Sequence, residues 1–205
     1  QDCSAIVVAC NTATAEAIAT IRSTLDIPII GVEPGIKPAA MQSQNGIVGV
    51  LATEATLNSD KFNALLATLP EHCQFIKQAG AGLVPLIEAG LIETPEMQAL
   101  LRSHLKPIQD LGADTLVLGC THYPFLKKMI RAVVGDSMTL IDTSDAVVRQ
   151  LLRQIHQQGL IVSSKHSPKL SLLSTANADT LEAMAERLLH RDLSKYAIYT
   201  KTLTL

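Results

Sequence analysis

The chain has 205 residues, a formal net charge of −2, 47% hydrophobic and 18% charged residues, 3% aromatics and no Trp. This balance fits a globular chain long enough for one large or two small lobes, and it excludes a disordered polymer. It leaves no basic footprint for nucleic acid and no stacking platform for bases. No apolar run approaches the roughly 20 residues of a membrane span, and no secretion signal is visible.

An apolar run predicts a first strand over 5–9. An Ala-rich helix over 12–25 follows, with Ala15, Ile18, Ala19 and Leu25 near helical spacing. Strands are expected over 28–32 and 47–52. A helix over 59–68 has Asp60 early and Pro70 after its end. Next come a strand over 74–78, helices over 83–89 and 95–111, and a strand over 115–118. Pro124 opens a helix over 124–134 that closes before Gly135. A strand over 139–141 precedes a helix over 142–158, which starts in an Asp-Thr-Ser group. A polar turn over 163–168, a strand over 170–174 and a helix over 179–190 complete the reading.

Several of these strands are continuously apolar, as expected where both faces are covered. Strands alternating with helices predict an α/β fold with mainly parallel sheets flanked by helices. A strand–Cys–Thr–helix unit occurs twice, which predicts two similar lobes.

Four cysteines occur, at 3, 10, 73 and 120. None forms a C-x-x-C pair and their spacing fits no zinc pattern, so reduced thiols in the cytoplasm are expected and a metal site is not. Cys10 and Cys120 each end an apolar strand and precede a helix mouth. Ligands in open α/β sheets sit outside the carboxyl ends of strands, and helix N-termini favour negative charge. Both thiols are therefore expected to have lowered pKa values. Asn11, Thr12 and Thr121 add polar groups beside them, and His122 can exchange a proton with a nearby thiol or orient it. Taken singly, each feature has a plainer reading. A lone buried Cys packs, Asn11, Thr12 and Thr121 cap helices, and His122 is structural. Two equivalent corners together favour chemistry with two mirrored proton transfers.

The segments "ACNTATA" (9–15) and "LGCTHYPFL" (118–126) resemble the cofactor-independent glutamate racemases of the aspartate/glutamate racemase superfamily. "DIPIIGVEPG" (26–35), "GVLATEATLNS" (49–59), "LVPLIEAG" (83–90), "LIDTSDAV" (140–147) and "LSLLSTANADTLEAMAERLL" (170–189) resemble further segments of that family. The resemblance implies that Cys10 and Cys120 are the two acid/base groups, on opposite faces of the substrate α-carbon. It implies that His122 assists Cys120 with Glu88 as its carboxylate partner. Asn11, Thr12, Thr53, Thr56 and Thr121 would hold the amino-acid head group; Thr53 and Thr56 also read as turn residues, and Glu88 as a solvated helix residue. It further implies no cofactor, glutamate as substrate, D-glutamate for peptidoglycan as product, and a homodimer in one of several arrangements. The lobes would comprise residues 1–32 with 142–205, and 33–141.

The family opens with an Asp-Ser-Gly motif and carries a Pro-Tyr-Gly motif before its first cysteine, and neither occurs here. The expectation is an incomplete first lobe, with the strand over 5–9 open at one edge and weak or absent activity for the chain by itself. Two enzyme-free or enzyme-variant readings stand beside this one. The chain could act on aspartate or another acidic compound, or serve as a non-catalytic protein-binding module such as a gyrase-restraining fragment. A thiol-redox role is disfavoured by the lack of C-x-x-C.

Overall fold

A computed structural model describes residues 3–160, 169–189 and 197–203. The expected polar turn over 163–168 lies outside the described residues. The elements run β1 (Ile6–Val8), α1 (Asn11–Thr24), β2 (Ile29–Gly31), α2 (Ile36–Gln42), β3 (Ile47–Ala52), α3 (Glu54–Asn58), α4 (Asp60–Leu66), β4 (Gln74–Ala79), α5 (Leu83–Glu88), α6 (Pro95–Asp110) and β5 (Thr115–Gly119). They continue with a 3-10 turn over Tyr123–Leu126, α7 (Lys127–Val134), β6 (Thr139–Ile141), α8 (Ser144–Gln157), β7 (Lys169–Ser174), α9 (Ala178–Leu189) and β8 (Ala197–Thr202).

Side chains alternate across a strand, so a strand buried on both faces is apolar at nearly every position. β3 and β5 illustrate this. Val48, Val50 and Ala52 of β3 and Val117 of β5 face a cluster with Ile36 and Ala39 of α2, Leu57 of α3 and Phe62 of α4. Leu51 of β3 and Leu116 and Leu118 of β5 face the opposite cluster, with Leu83 and Ile87 of α5, Leu101 and Leu105 of α6 and Ile130 of α7. Helices therefore cover both faces of the sheet. Leu116 is fully buried there, and truncating such a Leu to Ala costs about 2–5 kcal/mol.

That sheet has four parallel strands in the order β4-β3-β5-β6. From β3 the chain crosses to β4 on one side, then returns past β3 to β5 and on to β6. The direction of winding thus reverses between β3 and β5, whose last residues pair, Ala52 with Gly119. β1 and β2 form a second parallel pair, and β7 and β8 a third, with α9 as the crossover of the latter. Among the described residues, β1 pairs with β2 alone.

The expected strand boundaries at 47–52 and 139–141 match the structure. Three elements were not anticipated: α2, which carries Pro38 in its first turn, the five-residue α3, and β8. The expected helix over 124–134 is two pieces, a 3-10 turn followed by α7. Pro124 sits in the first turn of the former, where its missing N–H costs nothing.

Candidate functional site

In a doubly wound sheet the crevice for a ligand forms where strand order reverses, outside the carboxyl ends of the strands. Here that point lies between the ends of β3 and β5. Thr53 immediately follows β3, and Cys120 immediately follows β5.

Thr53 is the N-cap of α3, its hydroxyl accepting from the Thr56 N–H at 3.2 Å. The same hydroxyl donates to Thr56 Oγ1 at 2.9 Å. Thr12, from the first turn of α1, completes a triangle, with Oγ1 at 3.0 Å from Thr53 Oγ1 and 2.9 Å from Thr56 Oγ1. Capping and clustering are thus not alternatives for Thr53. The hydroxyl triangle joins the helix that follows Cys10 to the switch point of the four-stranded sheet.

Cys10 is itself the N-cap of α1. Its Sγ accepts from the Ala13 N–H at 3.5 Å, and its carbonyl accepts from Thr14 N–H at 2.8 Å. The cap of α1 is therefore the thiol, and Asn11 and Thr12 are freed from that task. Thr14 fixes the helix to its strands: its hydroxyl donates to Val8 O at 3.1 Å and accepts from Val32 N–H at 3.2 Å. Cys10 is exposed, while Asn11 is buried, and its Oδ1 has no hydrogen-bond partner among the described residues.

Cys120 is 8% exposed. Its Sγ lies 3.9 Å from His122 Nδ1, and His122 Nε2 lies 3.1 Å from Glu88 Oε1 at the end of α5. A carboxylate only accepts, so Nε2 carries the proton in this pair and Nδ1 is left to accept from the thiol. Glu88, half exposed, thus faces the imidazole rather than solvent alone.

Burial pushes the Cys120 thiol above its ordinary pKa. The backbone N–H groups of His122 and Tyr123 and the Thr121 hydroxyl pull it back, while the charge of Cys10 pushes it further up. This corrects the expected lowering at this corner. Desolvation outweighs the amides because Cys120 sits on a turn ahead of a short 3-10 segment, without an α-helix dipole directly behind it. A charge on Cys10 reaches Cys120 and disfavours its ionisation.

A cleft of about 30 Å³ opens beside Cys120, lined by Asn11, Thr121, Asp142 and Ser144 among others. The sequence places Asp142 at a helix start and within the family-like segment 140–147, with no role of its own. Its burial raises its pKa, but Lys127 at 2.7 Å and the backbone and hydroxyl of Ser144 outweigh this and hold it below the ordinary carboxylate value. On the other side of Asn11 lies a groove of about 290 Å³ between α1 and α4, with Thr56, Phe62 and the Glu33–Lys61 ion pair (2.8 Å) in or at its wall. Cys120 and Thr121 line the smaller cleft, Thr56 lines the larger groove, and Asn11 lines both. Of the nine residues singled out from sequence, His122 and Glu88 join Cys120, and Thr53 and Thr56 join Thr12. Asn11 and Thr121 share the cleft wall with Cys120, and Cys10 opens α1 beside them.

Among the described residues, no helix is long and apolar enough to cross a membrane.

A family model described as Asp/Glu/Hydantoin racemase matches residues 1–151. A protein of Cupriavidus pinatubonensis named glutamate racemase is 53% identical over 190 residues, covering 93% of this chain and 70% of its own length. One of Ralstonia nicotianae with the same name is 52% identical, covering 92% and 68%. The crystal structure of an Escherichia coli glutamate racemase with L-glutamate and an activator superposes with a TM-score of 0.82 at 30% identity, covering all of this chain and 76% of its own. With the family model matching most of its length, relatives at half identity and a like fold, the chain belongs to the Asp/Glu/hydantoin racemase family.

Proposed function

We propose that this chain provides the two-cysteine site of a glutamate racemase that converts L-glutamate to D-glutamate without a cofactor. The observation that carries the reading is the line Glu88–His122–Cys120 at the sheet's switch point, with the charge of Cys10 acting on Cys120. The relatives named glutamate racemase, at about half identity, support glutamate as the substrate.

The chemistry follows from one thiolate and one thiol on opposite faces of the α-carbon. The thiolate takes the α-proton, and the electron pair of the broken C–H bond stays on the substrate, delocalised towards its carboxylate. The opposing thiol then gives its proton to the other face and becomes the thiolate. The reverse direction exchanges the two roles. His122, held by Glu88, orients and polarises Cys120 through Nδ1. A charge on Cys10 disfavours one on Cys120, in keeping with a cycle that needs a thiol opposite a thiolate. Asn11, Thr12, Thr53, Thr56 and Thr121 supply fixed donors and acceptors for the amino-acid head group, so that charge developing near the carboxylate meets oriented dipoles.

In this reading residues 1–32 with 142–205 and residues 33–141 form the two lobes that meet at the cleft. The enzyme works in the cytoplasm as a homodimer and supplies D-glutamate for peptidoglycan. A second reading, racemisation of aspartate or a related acid, draws on the breadth of the family description, and the Cys120–Thr121–His122–Tyr123 corner favours glutamate over it.

The test uses the chain as it stands and a chimera in which it replaces the matching segment of the Cupriavidus relative. Circular dichroism follows L- to D-glutamate conversion, with aspartate alongside. Conversion of glutamate, abolished by Cys10→Ser and by Cys120→Ser, is the expected result. A folded chimera that leaves glutamate untouched, or turns it over without either thiol, overturns the proposal.

A further inference from the structure

Tyr123 has no part in the chemistry above, yet it is fully buried beside it. Its hydroxyl donates to Gly80 O at 3.3 Å, across 43 residues of sequence. That carbonyl also accepts from Leu83 N–H at 3.3 Å, the bond that opens the first turn of α5. One oxygen thus receives both the start of the helix that ends in Glu88 and the side chain next to His122. The fit there is tight, since a methyl group on Gly80 would collide with the Tyr123 hydroxyl. His104 holds the same loop from α6, with Nε2 at 2.9 Å from Ala81 O.

We propose that Tyr123 is a positioning residue that clamps α5 to the Cys120 corner and so sets the Glu88–His122–Cys120 alignment. The helix and the corner touch at two places: Tyr123 with Gly80 at the start of α5, and His122 with Glu88 at its end. Core packing of Leu83 and Ile87 holds the helix against the sheet, and the two polar contacts, one just before its start and one at its end, set its register against the Cys120 corner. The phenol suits this task because burial first, and the Cys120 charge second, push its pKa well above the ordinary value. It remains a donor throughout the working pH range.

The inference rests on the racemase reading, and its test is built to fail separately. Tyr123→Phe keeps the ring and removes only the hydroxyl; Gly80→Ala attacks the same contact from the carbonyl side. Turnover is expected to fall about tenfold in each, the scale on which small misplacements act. The two enantiomers are equal in free energy in solution, so kcat/KM falls by the same factor in both directions. The slowed step, however, is the one at Cys120. The α-deuterium isotope effect should therefore grow for the enantiomer whose proton Cys120 removes and shrink for the other, where a solvent isotope effect replaces it. Uniform slowing without this skew, or wild-type turnover, overturns the clamp.

A second arm needs no racemase activity. Iodoacetamide labelling of Cys120 relative to Cys10, read by peptide mass spectrometry, should drop at least about threefold in both variants as His122 loses its alignment. An unchanged or raised ratio overturns the proposal, a rise meaning that the corner has merely loosened. Failure of both variants to fold also overturns it, since the role would then be structural. If the parent protein leaves glutamate untouched, the functional reading falls and the labelling ratio still decides the clamp.

Discussion

Thr12 and Thr56 hold their hydroxyl oxygens 2.9 Å apart although 44 residues separate them in the chain. The bond ties the first turn of the helix capped by Cys10 to the helix that follows β3, and Thr53 closes it into a ring of three. Breaking it by Thr56→Val removes a hydroxyl from a residue that is 2% exposed. Stability should fall by about 1 kcal/mol, the usual net value of such a bond. In a double-mutant cycle with Thr12→Val the coupling should be about 0.5–1 kcal/mol, because the two share the same partners. Urea unfolding of the four proteins measures both; strict additivity would mean that the triangle does not act as a unit.

The raised pKa of Cys120 makes stability depend on pH. Its cause is burial first, with Cys10 adding to it. The folded state holds the thiol proton more tightly than the unfolded chain does. The stabilisation is therefore complete below the ordinary thiol pKa and is lost as pH rises from there through the raised value. Melting temperatures of the parent protein should drop more steeply above the ordinary thiol range than those of Cys120→Ser, and the two curves should run parallel at neutral pH.

Glu88 should matter through His122. Glu88→Gln keeps the shape but can no longer accept with a full negative charge at Oε1, 3.1 Å from Nε2. Turnover on glutamate should fall by about 10–100-fold, within the span of general acid–base contributions, with KM little changed. Glu88→Asp, a shorter carboxylate, should recover only part of the rate. A rise in KM with kcat unchanged would place Glu88 in substrate binding instead.

Asp114 is a structural counterpart away from the cleft. Burial raises its pKa, but the Ser43 hydroxyl at 2.7 Å, the Asn45 N–H at 2.9 Å, the Thr115 hydroxyl at 2.8 Å and the Gln44 N–H at 2.7 Å together hold it below the ordinary value. The stabilisation is present above the unfolded carboxylate pKa and lost as pH falls through the lowered one. Asp114→Asn should cost about 1–2 kcal/mol at neutral pH, since the group is only partly buried. The difference should close in acid, where unfolding of both proteins converges.

The central strands were legible because burial on both faces demands apolar residues at nearly every position. β3 could be bounded to the residue for that reason. α2 and α3 were not legible, as seven and five residues are too few to display a helical period. The cysteines, threonines and His122 stood out through two matching strand-end corners. Asp142 and Tyr123 were visible only as members of the family-like segments 140–147 and 118–126, without roles of their own. Their significance lies in partners, Lys127 and Gly80, that lie outside their local segments.

Sequence by itself determined the class of fold, the carboxyl-end location of both thiols and the racemase kinship, because periodicity, strand length and motif chemistry are local properties. Tertiary structure alone decided that the direction of winding reverses between β3 and β5, that three hydroxyls meet in a ring, and that Cys120 is harder to ionise than a thiol in water. Each of these depends on which distant groups exclude solvent or come within hydrogen-bond reach, and that is set by packing across the sheet rather than by any neighbouring residue.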